Sequence, residues 1–267
     1  MKASKAHSNG VLFSFADVIA ECRLLKRFAA DFLDADTVDT LDAAAARLEY
    51  IQDAAAKSKA KQFSWGINER RPLTTRYGVG AHQPGRQQGR ELRGTFSFIW
   101  EITPVPPPKG NRPLQFVLDG NASTTITIEQ RASGNYPACQ WQWNADIGVS
   151  GGPGTRFHAQ IKWHEPPLQS LETCKISTLD VPRFPMLPMT PLMVVELVLA
   201  ELFQDEWKKQ KHEASDRDTN QWRMLQAKRL IAFLEWQVGT LKARAGTPLL
   251  TLKLAPVPEN VMGEERP

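Results

Sequence analysis

Thr95-Phe96-Ser97-Phe98-Ile99-Trp100-Glu101-Ile102 decides the fold class. Phe96, Phe98, Trp100 and Ile102 recur at every second position, with Thr95, Ser97 and Glu101 between them. A period of two is the signature of a strand with one face buried and one face wet. The proline run Pro104 to Pro108 closes it. Downstream, Leu114–Leu118, Thr124–Glu129, Gln140–Ile147, Arg156–His164 and Lys175–Val181 read as further strands, with Asp119-Gly120-Asn121 as a turn between the first two. Sequential strands joined by short loops predict an antiparallel meander rather than a parallel sheet with crossover helices.

Helices flank this sheet on both sides in sequence. Residues 14–34 repeat Val18, Ile19, Cys22, Leu25 and Phe28, and residues 36–59 repeat Val38, Leu41, Ala45, Leu48 and Ile51, both at the 3.6-residue period. The short joint Asp34-Ala35-Asp36 predicts an antiparallel helical hairpin. Beyond the sheet, Thr190-Pro191 supplies an N-cap followed by proline at the first helical position, opening a helix to about Lys211. A second long helix is expected over Asp218–Ala243, and a short strand over Leu249–Ala255.

The fold class is therefore α+β: an antiparallel β-sheet meander of about five to seven strands, packed on C-terminal helices and preceded by an N-terminal helical hairpin. The expected domain division is 1–59 for the hairpin, 60–94 for a basic flexible loop, 95–255 for the sheet and two long helices, and 256–267 for a disordered tail.

Charge is distributed unevenly. Nine Lys and Arg against two Glu lie between Lys57 and Arg93, a local +7 in a chain whose net charge is +4. Clustered cations are the footprint of a polyanionic partner. Arg70, Arg71, Arg76, Arg86, Arg90 and Arg93 are the candidates for phosphate contact, with Phe63, Trp65 and Tyr77 as stacking partners. The alternative is a basic segment that docks on acidic parts of the chain itself. No base-reading motif is present, so nucleic acid would be bound through its backbone or shape.

The sheet offers one pairing of chemical interest. A hairpin centred near Gly152 sets Trp141 opposite Trp163 and Trp143 opposite Ile161 on one side. The other side is polar, pairing Asp146 with His158, Asn144 with Gln160, Gln142 with Lys162, and Gln140 with His164. A carboxylate that orients an imidazole suits a general base, which makes Asp146 and His158 the catalytic candidates; the plainer reading is a solvated cross-strand pair. Asp119 with Glu129-Gln130-Arg131 only approaches a metal-dependent nuclease pattern, because arginine stands where lysine is needed. Arg76 and His82 have the spacing of a ribonuclease pair but fall in a glycine-rich stretch. Cys22, Cys139 and Cys174 lack the paired spacing of a zinc site and read as reduced thiols. No cofactor, metal or membrane span is expected, and the absence of an export-type leader predicts a cytoplasmic protein.

The last long helix carries two apolar stripes. Ala227, Leu230, Ile231, Leu234, Val238 and Leu241 form the main one, expected to face the core, while Trp222, Phe233 and Trp236, interrupted by Arg229, form a second. Two stripes mean burial on two sides. The second packs between the sheet and the preceding helix, or it is a surface for a partner or a homo-oligomer, since Trp and Arg dominate binding hot spots. No heptad pattern is sustained for long enough to announce a coiled coil. The function expected from these features is a non-catalytic accessory or adaptor subunit that binds a protein partner, with nucleic-acid backbone as a second target. An enzyme acting on a polyanionic substrate and a small-ligand sensor using the polar sheet face are the alternatives.

Overall fold

The computed structural model describes residues 11–57, 62–78, 91–105, 114–118, 120–132, 138–148, 157–162, 184–185, 187 and 189–243. Its elements in chain order are β1 (Val11–Ser14), α1 (Phe15–Phe28), α2 (Asp39–Lys57), β2 (Phe63–Ile67), β3 (Leu73–Thr74), β4 (Leu92–Val105), β5 (Gln115–Leu118), β6 (Ala122–Gln130), β7 (Cys139–Ile147), β8 (Phe157–Lys162), β9 (Phe184–Pro185), α3 (Pro191–Trp207), a π-helical turn (Lys208–His212) and α4 (Arg217–Ala243). All strand pairings among the described residues are antiparallel, so the α+β class with an antiparallel sheet is the architecture of the protein.

β4 organises the sheet. One of its edges carries β2, with Trp65 opposite Trp100, and β3, with Leu73 opposite Phe96. β4 also pairs with β6, from which the order continues through β7, β8 and β9, and with β5, which carries β1. Phe96, Phe98, Trp100 and Ile102 are all buried, while Ile99 on the opposite face is exposed, as the period of two requires. α3 packs on β4, and α1 packs on α2, α3 and α4. Trp65 Nε1 donates to the Ala44 carbonyl at 2.9 Å, which fastens β2 beneath α2. α1 and α2 run antiparallel: Arg23 meets Glu49 at 2.5 Å, and Lys26 meets Asp39 and Asp42.

Several expectations change. Asp119-Gly120-Asn121 does not reverse the chain. β5 and β6 run in the same direction along the same edge of β4, with Val117 opposite Thr103 and Ala122 opposite Trp100. The partner strand therefore carries extra residues relative to Glu101 and Ile102 of β4 between these two pairs, which is a bulge. Gly120 and Asn121 supply it with φ of 86° and 52°, and the Asn121 carbonyl accepts the Glu101 N–H at 3.1 Å. The reversal lies instead between β4 and β5. Turn chemistry and bulge chemistry both ask for left-handed backbone, so the tripeptide alone does not separate them.

The stretch 60–94, expected as a loop, contributes β2 and β3. Its charged residues conceal short paired segments such as Phe63-Ser64-Trp65-Gly66-Ile67. β1 was likewise invisible to an alternation test because all four of its residues are buried. The first helix ends at Phe28 rather than Asp34. α3 ends at Trp207 and carries a non-helical residue, Gln204, at φ 37°. The proposed strands at 175–181 and 249–255 and the tail at 256–267 lie outside the described residues.

Candidate functional site

α4 inverts the expected order of its two stripes. Trp222, Arg229 and Phe233, read either as packing between the sheet and the preceding helix or as a partner surface, are buried, which is the first of these readings. Trp222 stacks on Phe28 with centroids 5.3 Å apart, and Phe233 meets Phe157 of β8 edge-on at 5.5 Å. The Trp236 side chain lies outside the described residues. Arg229 is interior because α1 places Glu21 opposite it: Nη1 to Oε2 is 2.6 Å. The contact is ionic rather than an aligned hydrogen bond, since neither atom meets hydrogen-bond geometry. The other carboxylate oxygen, Oε1, accepts from Thr190 Oγ1 and Gln226 Nε2, each at 2.9 Å. Thr190 also accepts the Met193 N–H at 3.2 Å as the N-cap of α3. Three helices therefore converge on one buried carboxylate. Burial also pushes the nearby Glu196 carboxyl above the ordinary carboxylate range, with the Glu21 charge acting in the same direction.

The stripe expected to face the core faces water. Met224 is 73% exposed, Ile231 55%, Leu234 48%, Val238 49% and Leu241 38%, and Ala227 is exposed with them. Their spacing alternates three and four residues from 224 to 241, which keeps all six on one line of the helix. Together they present on the order of 500 Å² of apolar surface, toward the top of the range for the largest patch on a monomer. Leu230, assigned to this stripe from the sequence, is half-buried at its border. Five of the six residues of this line were legible in the chain; Met224 was not. The line's outward orientation was not legible, because two apolar stripes imply burial on two sides, with the main stripe facing the core.

The polar sheet face has the expected register. Asp146 pairs with His158, Asn144 with Gln160 and Gln142 with Lys162, while Trp143 pairs with Ile161 on the other side. Trp163 and His164 lie outside the described residues. His158 Nε2 and Asp146 Oδ2 stand 3.7 Å apart, beyond hydrogen-bond distance. The imidazole is only 3% exposed, so a solvent-borne substrate has no direct approach to it. Trp141 is half exposed and Trp143 only partly buried, so the aromatic wall is shallower than the alternation implied.

Among the six candidate phosphate ligands, Arg70 and Arg71 are exposed in the turn after β2. Arg76 and Arg93 are committed to the chain itself. Arg76 Nη2 meets Glu206 at 2.5 Å, and its guanidinium lies 4.6 Å from the Phe203 ring centroid. Arg93 Nε meets Glu129 at 2.6 Å, and that hydrogen bond raises the arginine above its ordinary value. Glu129 is thereby used, and Arg131 pairs with Glu91, which dissolves the nuclease-like pattern among the described residues. Arg86, Arg90, His82 and Asp119 lie outside them. Of the sequence +7, the described part is thus divided between exposed cations and internal contacts: ion pairs on Glu206 and Glu129, and a hydrogen bond from Arg76 Nε to the Asp31 carbonyl of the helical hairpin at 2.8 Å.

Among the described residues no group of three or more His, Cys, Asp or Glu could hold a metal ion, and no helix is long and apolar enough to cross a membrane. Cys22 is a free, buried thiol whose ionisation burial pushes well up. Comparison with protein-family models, curated proteins and solved structures gives no match.

Proposed function

We propose that this chain is a non-catalytic accessory subunit that acts through protein–protein contact on the outward face of α4. The observation that supports it is the six-residue apolar line from Met224 to Leu241, continuous and solvent-facing on a helix whose other side is anchored in the core. Contiguous apolar surface of this extent is a feature of interaction sites, and regular three-four spacing suits a helical partner. The polar sheet face supports an enzymatic reading less well, because its imidazole is buried.

The test replaces Ile231 and Leu234 together by glutamate. Both are exposed, so the variant should still fold while partner proteins that co-purify with the unmodified chain from its native cells are lost. Retention of the same partners by a folded Ile231→Glu/Leu234→Glu variant would refute the proposal.

A further inference from the structure

We infer that the partner covering this face is a second copy of the chain, docked antiparallel along α4 about a two-fold axis between Ala232 and Phe233. The inference rests on reading α4 as an interface and names what occupies it. The apolar line spans about 26 Å at 1.5 Å per residue. Reversing a second copy about its midpoint sets Met224 level with Leu241 of the second copy, Ala227 level with Val238, and Ile231 level with Leu234. Each pair then occurs twice, giving six apolar layers with no polar residue among them.

Charge chooses the direction. Lys228 and Glu235 are exposed along one border of the apolar line, and neither takes part in an ion pair among the described residues. In the antiparallel arrangement the border residues that follow Ala227 and Leu234 face their own counterparts, so Lys228 meets Glu235 of the second copy. The two differ in level by about 3 Å, or two residues of rise, well within reach of side chains of that length. The two-fold axis repeats the pair, so the surface is self-complementary, as a closed dimer requires. A parallel arrangement instead sets Arg223 of one border against Lys228 of the other copy, which repels. Bordering charges of this kind determine partner orientation more than they add affinity.

Sedimentation velocity on the full chain at micromolar concentration tests the inference. A dimer is expected. Lys228→Glu should weaken it about tenfold by setting glutamate against Glu235, Glu235→Lys should do the same by setting lysine against Lys228, and the double variant should restore association. In a parallel dimer Lys228→Glu would attract Arg223 and tighten association, so tightening overturns the antiparallel arrangement. A chain that stays monomeric overturns the second-copy assignment. If that monomer also loses its co-purifying proteins on the Ile231→Glu/Leu234→Glu change, the interface reading stands without the self-pairing. If instead the monomer unfolds more easily with those two glutamates, the face is covered from within the chain and both readings fall.

Discussion

Arg229 of α4 holds Glu21 of α1 across 2.6 Å with both side chains out of water, and this one contact decides which way the last helix faces. Rotating α4 to bury Ile231 and Leu234 instead would carry the guanidinium outward and leave the Glu21 charge alone in the interior. Uncompensated buried charge costs several kcal/mol, more than burial of a leucine side chain returns.

Arg229→Ala is therefore expected to destabilise the fold by about 3–5 kcal/mol, and Arg229→Met with Glu21→Leu to be much closer to the unmodified protein. Urea unfolding of the three chains decides it. A single-variant loss below about 1 kcal/mol would show that the pair is not what orients the helix.

Two glycines should respond to alanine in opposite directions. A Cβ on Gly66 would lie 1.9 Å from the Phe98 carbonyl oxygen, a backbone atom that can move only with β4 itself. Gly66→Ala should cost at least about 1–3 kcal/mol. A Cβ on Gly239 meets nothing within 4 Å, on the exposed surface of α4. Gly239→Ala should stabilise by about 0.5–1 kcal/mol, since alanine restricts the unfolded chain and favours helix. Thermal midpoints moving in opposite directions would confirm both.

Asp216 caps α4: its Oδ1 accepts the Thr219 N–H at 2.9 Å, its Oδ2 accepts the Thr219 hydroxyl, and its carbonyl accepts the Asn220 N–H. The Thr219 side-chain hydrogen bond, followed by the backbone one, holds the carboxyl below its ordinary value of 3.8. A depressed folded value adds stability above the unfolded value and loses it as pH falls through the folded one. Asp216→Ala should cost about 1 kcal/mol at neutral pH and progressively less below about pH 4. Unfolding measured at pH 7 and pH 3 would show the gap narrowing; a constant gap would remove the carboxylate from the cap.

His158→Ala separates an accessory protein from an enzyme. Removing a buried imidazole should lower stability by roughly 1–3 kcal/mol while leaving partner association unchanged. Preserved folding and association with loss of cellular activity on the order of a hundredfold would place His158 in a catalytic role.

The sequence made the sheet readable wherever one face is buried and the other wet. Phe96 to Ile102 announced β4, and the alternation through Gln140–Ile147 set the pairing of Asp146 with His158 correctly. It failed where that contrast vanishes. β1 is buried throughout, and β3 is two residues long. The candidate surface failed for a different reason. Periodicity locates apolar lines on a helix without saying which one is inward, and only the carboxylate of Glu21, more than two hundred residues earlier, breaks the tie.

The pairing of β1 with β5 also sets a timetable for synthesis. Val11 is matched with Leu118, so at ribosomal rates the first strand waits roughly 5–20 s for its neighbour to be made. During that interval Val11, Phe13 and Phe15, all buried in the finished protein, have no sheet to join. Closing so long a loop is slow compared with local hairpin formation. Until Leu118 is made, the segment 11–15 is consequently exposed to aggregation, and a chaperone that shields it would raise the yield before any change in final stability.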